Sequence, residues 1–569
     1  MRFLPEAALA KSTVTPQPRL NRPVLAALLL ALAPVAAFAS VADHGPSLIA
    51  SSHVAIAHTA GGEVQGFVRN GIQTFRGIPY AKGERFKAPE PFPAWQGVRP
   101  ALSYGNICPQ PVDPQLREPQ TFISDTRFWP ASEQCQNLNI WTPALDGKKR
   151  PVMVWLHGGG FFSGSSMELP IYDGTNLSRK GDVVVVSLNH RLNVLGFLDL
   201  SAYGEAYGAS ANVGMLDIVA ALHWVHDNID RFGGDPSNVT IFGQSGGGAK
   251  VATLLAATAA KGLFQKAVIE SGAPGSMPSP YADPLVARKV AELTLKNAGL
   301  KPDQVDALAR LPYDQLLAAA NKALGDASAA LGMPPGPLGF SMVNWSPVVD
   351  GRFLPETPFG KSAPSTSAGI PLLVGSTLSE FQNFPNPRLR GRETWGEGET
   401  LAYLRSTQGA RADAVIAEYR KAYPRMPANQ WPLIDTMFRS GVLRTAAMKA
   451  AQGDPVYTYL FAYRSPVLDY AWAAGHSSEI AFVFDNADLG MQSSGGGPQV
   501  EKLTDLVSQA WINFARTGNP NARGLPRWPL YARGAGATMV FDAQPAVRVD
   551  HDAALVQLLS QPPGGPRAP

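Results

Sequence analysis

The chain has 569 residues, 45% of them apolar and 17% charged, a balance that supplies a large core and no low-complexity disorder. Its formal net charge is +4, and three of those four units come from residues 1–39, where Arg2, Lys11, Arg19 and Arg22 face only Glu6. What remains is close to neutral, which gives no electrostatic argument for nucleic acid or an anionic membrane as a partner. No internal stretch approaches the roughly 18–20 uninterrupted apolar residues of a membrane span, so stable membrane insertion is not expected.

Taken in chain order, Arg19 and Arg22 precede an apolar run from Val24 to Ala33, and Ala37-Phe38-Ala39 follows with small residues at a cleavage position. That layout is a secretory signal peptide over residues 1–39, cut near Ala39 to release a secreted or periplasmic protein; an uncleaved anchor is the alternative. From His53 to about Tyr80, apolar and polar residues alternate with glycine punctuation, the pattern of short antiparallel strands. The two cysteines, Cys108 and Cys135, imply one disulfide if the chain is exported and two buried thiols if it is not. No histidine pair or second cysteine pair accompanies them, so no metal site is expected.

Val152 to Leu156 and Val183 to Val186 are continuously apolar, as strands buried on both faces are. Leu216, Val219, Ala220, Leu222 and Val225 recur at helix spacing, with Asn228 near the end. Val239 to Phe242 leads into a turn, and Lys266 to Ile269 is a further strand. This alternation predicts an α/β fold, a large mostly parallel sheet flanked by helices and occupying residues 40–559. Helical stretches at about 278–342 and 395–452 read as insertions placed over the sheet, with strands at Ile370–Val374 and Tyr457–Tyr463 between and after them. A long helix over Leu503–Thr517 stops at Gly518-Asn519-Pro520, and residues 560–569 read as a disordered tail.

The chemistry is carried by three ordered motifs. Gly243-Gln244-Ser245-Gly246-Gly247 follows a strand directly, the form of a nucleophile elbow, in which a tight turn pushes a serine hydroxyl into the open. His157-Gly158-Gly159-Gly160 follows the strand ending at Leu156. Its bare backbone N–H groups at Gly159 and Gly160, completed by that of Gly246, can converge on a developing oxyanion. In folds with such an elbow the acid and then the histidine come after the serine. Only His476 and His551 lie beyond Ser245. His476, in a small-residue loop, is favoured, and His551, between Asp550 and Asp552, reads as solvated. Glu380, one short turn past a buried strand, is the favoured acid, with Asp350 as the alternative.

The sequence resembles the type-B carboxylesterase/lipase family, which includes the cholinesterases, from about Gly66 to Tyr531. The matches are Phe75-Arg76-Gly77-Ile78-Pro79-Tyr80-Ala81, Ser132-Glu133-Gln134-Cys135, Leu138-Asn139-Ile140 and Asn189-His190-Arg191-Leu192. They continue through Asn212 to Asp217, Phe232-Gly233-Gly234-Asp235-Pro236, Glu270-Ser271-Gly272 and Asn513 to Gly518. The resemblance implies the α/β-hydrolase fold with helical lid insertions and a Ser245–Glu380–His476 triad. The family's acid motif lands on Gly375 and Glu380, and its histidine motif lands on His476 and Glu479. It implies structural ion pairs Arg85–Glu133 and Arg191–Asp217, and a Cys108–Cys135 disulfide whose loop contributes to the rim of the gorge, with Phe122, Phe128 and Trp129 lining substrate or packing.

Two departures stand out. Gln244 precedes the nucleophile where animal members often carry Glu, and Asp125 stands where cholinesterases carry a cation-binding Trp, which argues against quaternary ammonium recognition. The implied activity is hydrolysis of small-molecule carboxylic esters through an acyl-enzyme, with no metal or cofactor required. Lipase, amide-cleaving and carbamate-cleaving members are the alternatives within the family. Members that keep the fold as binding or adhesion proteins typically lose the serine or its partners, and this chain keeps all three.

Overall fold

The computed structural model describes residues 47–111, 120–275, 281–333, 341–381, 387–389, 391–532 and 535–561. The signal segment expected over 1–39, and residues 562–569 of the tail expected over 560–569, lie outside the described residues.

A twelve-stranded sheet organises the chain. Its strands are β1 (Leu48–Ile49), β2 (Phe67–Arg69), β3 (Ile72–Pro79), β4 (Asn137–Thr142), β5 (Arg150–Leu156) and β6 (Val184–Leu188), then β7 (Gly234–Gln244), β8 (Lys266–Glu270), β9 (Leu372–Thr377), β10 (Val456–Phe461), β11 (Ala537–Phe541) and β12 (Ala546–Val549). In space they run β1-β2-β3-β4-β6-β5-β7-β8-β9-β10-β11-β12. From β6 through β11 every pairing is parallel. The pairings from β1 to β6, and β11 with β12, are antiparallel. This is the large, mostly parallel sheet of the α/β-hydrolase fold.

The central strands form around runs of apolar residues. β5, β6, β8, β9 and β10 are buried from end to end, as strands covered by helices on both faces must be. Each fully buried Val or Leu in them stabilises the fold by about 1.5–3 kcal/mol. The strand expected at Ile370–Val374 begins two residues later, at Leu372. Pro371 has no N–H to give the ladder, and the Ile370 N–H is already bonded to the Ser367 carbonyl at 3.1 Å. β4 was not legible as a strand because Asn137 and Asn139 interrupt its apolar run. The structure buries both and satisfies them: Asn139 donates to Ser166 Oγ and Ser187 Oγ at 3.1 Å and accepts from the Gly77 N–H at 3.0 Å.

Helices α1 (Val213–Asn228) and α2 (Gly246–Ala256) flank the sheet. The first stretch expected to be helical contains α3 (Pro284–Asn297) and α4 (Tyr313–Ala330). The second contains α5 (Glu397–Gln408), α6 (Ala412–Ala422) and α7 (Met437–Ala451). Local chemistry sets their ends. Asp283 caps α3 by accepting the Leu285 N–H at 2.8 Å, with Pro284 in the first turn where a missing N–H costs nothing. The long C-terminal helix α8 (Pro498–Thr517) also starts on proline and ends where Gly518 turns left-handed at φ 77°.

Cys108 and Cys135 form a disulfide with Cα atoms 5.0 Å apart. Arg191 pairs with Asp217 through bonds of 2.6 and 2.8 Å, both side chains buried, and Arg85 Nε donates to Glu133 at 2.6 Å. Among the described residues no helix is long and apolar enough to cross a membrane.

Candidate active site

The ends of the parallel strands deliver the site, as expected where helices follow strands in an open α/β sheet. β7 runs into Ser245, whose backbone adopts φ 59° and ψ −124°, a strained conformation for a residue with a side chain. The turn closes because Gly247 has no side chain: a Cβ there would come within 2.0 Å of the Leu156 carbonyl oxygen. The Ser245 N–H is anchored to the Glu270 carbonyl at 2.8 Å. Helix α2 starts on the next residue, so its positive end faces the same space.

The strand β5 ends at Leu156, and the glycine loop after it brings Gly158, Gly159 and Gly160 to one cavity with Ser245, Gly246 and His476. Gly159 and Gly160 have φ of 79° and 60°, which glycine alone adopts freely. The cavity measures about 650 Å³. Aromatic rings dominate its wall: Phe161, Phe162, Tyr172, Trp345, Phe381 and Phe438. Ser341, at the end of the first helical insertion, and Phe438 of α7 both line the cavity, so both insertions shape the space above the sheet.

Glu380 lies three residues past β9 and is fully buried. One carboxylate oxygen accepts the Thr377 N–H at 2.9 Å, and the other meets His476 Nδ1 at 2.5 Å. The two loops are also joined through backbone: the His476 N–H donates to the Glu380 carbonyl at 2.9 Å, and the Ser379 N–H donates to the Ala474 carbonyl at 3.0 Å. The imidazole packs against two neighbouring rings, Phe381 at 4.4 Å and Phe438 stacked at 5.4 Å, which lie 5.9 Å from each other. Gln244 fixes a further side: its amide nitrogen is 3.3 Å from His476 Nε2, and its oxygen accepts from Ser477 Oγ at 3.0 Å. A neutral amide packs against the imidazole without adding a charge to it.

The alternative residues belong elsewhere. Asp350 is bound up in a turn, accepting the N–H groups of Arg352, Phe353 and Leu354 at 2.9–3.0 Å and the Asn212 amide at 3.0 Å. His551 is not solvated as expected. It is largely buried, with its ring edge-on to Tyr423 at 5.7 Å and Asp552 at 3.6 Å, and burial lowers its pKa. Phe122, Phe128 and Trp129 are exposed and do not line the cavity, although Trp129 packs edge-on to Tyr104.

Several buried charged groups behind the site were not anticipated. Glu270 accepts from Trp511 Nε1 at 2.7 Å, and burial pushes its carboxyl up to about 8. Burial, then the charges of Glu270 and Glu380, push Glu479 well above the carboxylate range. Lys250 is entirely buried on α2, its ammonium 2.8 Å from the His157 carbonyl. A lysine five residues after the elbow serine, in a helix otherwise of glycine, apolar residues and one threonine, was the sequence signal for it.

A model of the Carboxylesterase family matches residues 53–557. Among curated proteins, the para-nitrobenzyl esterase of Bacillus subtilis (strain 168) is 37% identical over 505 residues, 87% of this chain and 96% of that protein. The phenmedipham hydrolase of Pseudarthrobacter oxydans is 34% identical, covering 85% and 94%. Among solved structures, an esterase of Clostridium hathewayi described as able to hydrolyse aliphatic aromatic polyesters superposes with a TM-score of 0.81 at 38% identity, covering 90% of this chain and 98% of that one. A Geobacillus stearothermophilus carboxylesterase gives 0.70 at 38% identity over 89% and 100%. Fold, motif order and these similarities agree: the chain belongs to the type-B carboxylesterase/lipase family and is a carboxylic ester hydrolase.

Proposed function

We propose that the enzyme hydrolyses its ester through a Ser245–His476–Glu380 triad and an acyl-enzyme. Ser245 Oγ attacks the ester carbonyl carbon while His476 Nε2 takes the hydroxyl proton, and Glu380 holds Nδ1–H and offsets the imidazolium charge. The N–H groups of Gly159, Gly160 and Gly246 receive the oxyanion, each worth about 3–4 kcal/mol by the cost of deleting such donors elsewhere. The tetrahedral species collapses as His476 returns the proton to the departing alcohol oxygen. Water then attacks the acyl carbon, giving its proton to His476, and Ser245 leaves with that proton restored.

The observation that carries this reading is the 2.5 Å bond between His476 and buried Glu380, at a cavity that also holds the elbow serine. The ring-lined wall supports esters with an aryl-sized group on the acyl or the alcohol side, and the names of the Bacillus subtilis and Clostridium hathewayi relatives point the same way. Ser245→Ala is expected to reduce hydrolysis of a short p-nitrophenyl ester by roughly 10⁴-fold or more and to abolish labelling by a fluorophosphonate probe, with thermal unfolding unchanged. Turnover persisting in that folded variant overturns the triad.

A further inference from the structure

The groups around Lys250 do more than fill a core. Its ammonium donates to the His157 carbonyl at 2.8 Å and reaches the Gly158 carbonyl at 3.4 Å. The Gly158 carbonyl also faces His157 Nδ1 at 2.9 Å. With a carbonyl as its neighbour, that nitrogen carries the proton. Both donors therefore act on the peptide that joins Gly158 to Gly159. In a trans peptide the carbonyl and the N–H point in opposite directions within one plane. Gripping the Gly158 oxygen from behind aims the Gly159 N–H forward into the cavity, and a cation on the oxygen draws electron density from that N–H, strengthening it as a donor.

The surroundings keep a single charge in this place. His157 and His190 stack at 5.1 Å, and burial together with the Lys250 charge holds both imidazoles neutral. Phe161 offers its ring 5.8 Å from the ammonium. Glu168 is the charged group that faces Lys250 among the described residues: it stands half-buried in the cavity wall, with Tyr172 donating to it at 3.4 Å. Burial lowers Lys250 to about 7 and raises Glu168 to about 7, and each opposes that shift in the other.

We propose that Lys250 is a positioning residue of the oxyanion hole, clamping the His157 and Gly158 carbonyls so that the Gly159 N–H is aimed and polarised. The inference rests on the oxyanion role assigned to Gly159 above. The two readings separate experimentally, because Ser245→Ala tests the chemistry and leaves the clamp intact.

Lys250→Met keeps the side-chain length and removes the charge. The expected result with a p-nitrophenyl ester is a fall in kcat of roughly 10–100-fold, below the loss of a whole donor, with KM within about twofold, as for an interaction made only in the transition state. Inhibition by a trifluoromethyl ketone, whose adduct with Ser245 carries the oxyanion, should weaken in parallel, while binding of the matching methyl ketone is unchanged. A rise in KM alone, or an unchanged kcat with unchanged ketone inhibition, overturns the proposal.

A second variant decides the matter if Lys250→Met does not fold. The parent enzyme should lose kcat on the alkaline side as Lys250 gives up its proton. Glu168→Gln, which removes the opposing negative charge, should move that limb to lower pH. An alkaline limb that stays in place in Glu168→Gln overturns the proposal, as does a limb that survives in a folded Lys250→Met.

Discussion

Around Ser245 the chain is packed backbone against backbone, whereas around Glu380 and His476 side-chain contacts add to two backbone bonds between the loops. On the serine side, α2 and the glycine loop after β5 approach so closely that a methyl on Gly247 would lie 2.0 Å from the Leu156 oxygen. On the Glu380 and His476 side, the geometry also draws on a carboxylate with two bonds, two neighbouring rings and the Gln244 amide. The difference teaches how each half should fail. A backbone junction fails first on added volume, and a side-chain junction fails first on lost charge.

The largest effect should come from removing charge without shape. Glu380→Gln is expected to cost roughly 10³–10⁴-fold in kcat, because an amide in place of the carboxylate favours the wrong imidazole tautomer and cannot offset the imidazolium. Asp350→Asn should leave kcat within about twofold and act only on stability, by loosening the turn it caps. Kinetics and melting of the two variants side by side test this, and the reverse ranking would reassign the acid and break the comparison.

Adding volume without charge comes next. Gly247→Ala should lower kcat by roughly 10²-fold, the scale of a misplaced reacting group, and destabilise the fold by about 1–3 kcal/mol through overpacking. Full activity with an unchanged melting temperature would show that the backbone junction has slack.

The smallest effect concerns the carboxyls where the two halves meet. Glu270 is held protonated up to about 8, well above the range of an unfolded chain. Between those values the folded state keeps a proton that the unfolded state has lost, so stability falls as pH rises through that window. Glu270→Gln keeps an oxygen for Trp511 and removes the titration. Its melting temperature relative to the parent should therefore improve from pH 5 to pH 8, by a few degrees (~1–3 °C). Parallel curves for the two proteins would place the titration elsewhere.

Much of this site was legible in the residues because its chemistry demands particular types in a particular order. The elbow needs small residues beside the serine, the oxyanion loop needs bare N–H groups, and only two histidines follow the serine. The apolar strands were legible for a similar reason, since burial on both faces leaves no room for a polar alternation. β4 was not, because its buried Asn139 is satisfied by Gly77, Ser166 and Ser187, all distant in the chain. His551 read as solvated because its neighbours in the chain are aspartates, yet Tyr423, more than a hundred residues earlier, covers it.

The sequence by itself determined the fold class and the family, because those depend on local pattern and on residue chemistry. Only the tertiary structure decided which side chains share the cavity and what the buried charges face. Lys250 is a lone lysine in its helix; that its ammonium grips two carbonyls of the glycine loop after β5 depends on how α2 packs against that loop. Contacts between distant segments carry no mark in either segment alone, because each is stabilised by a partner that folding supplies.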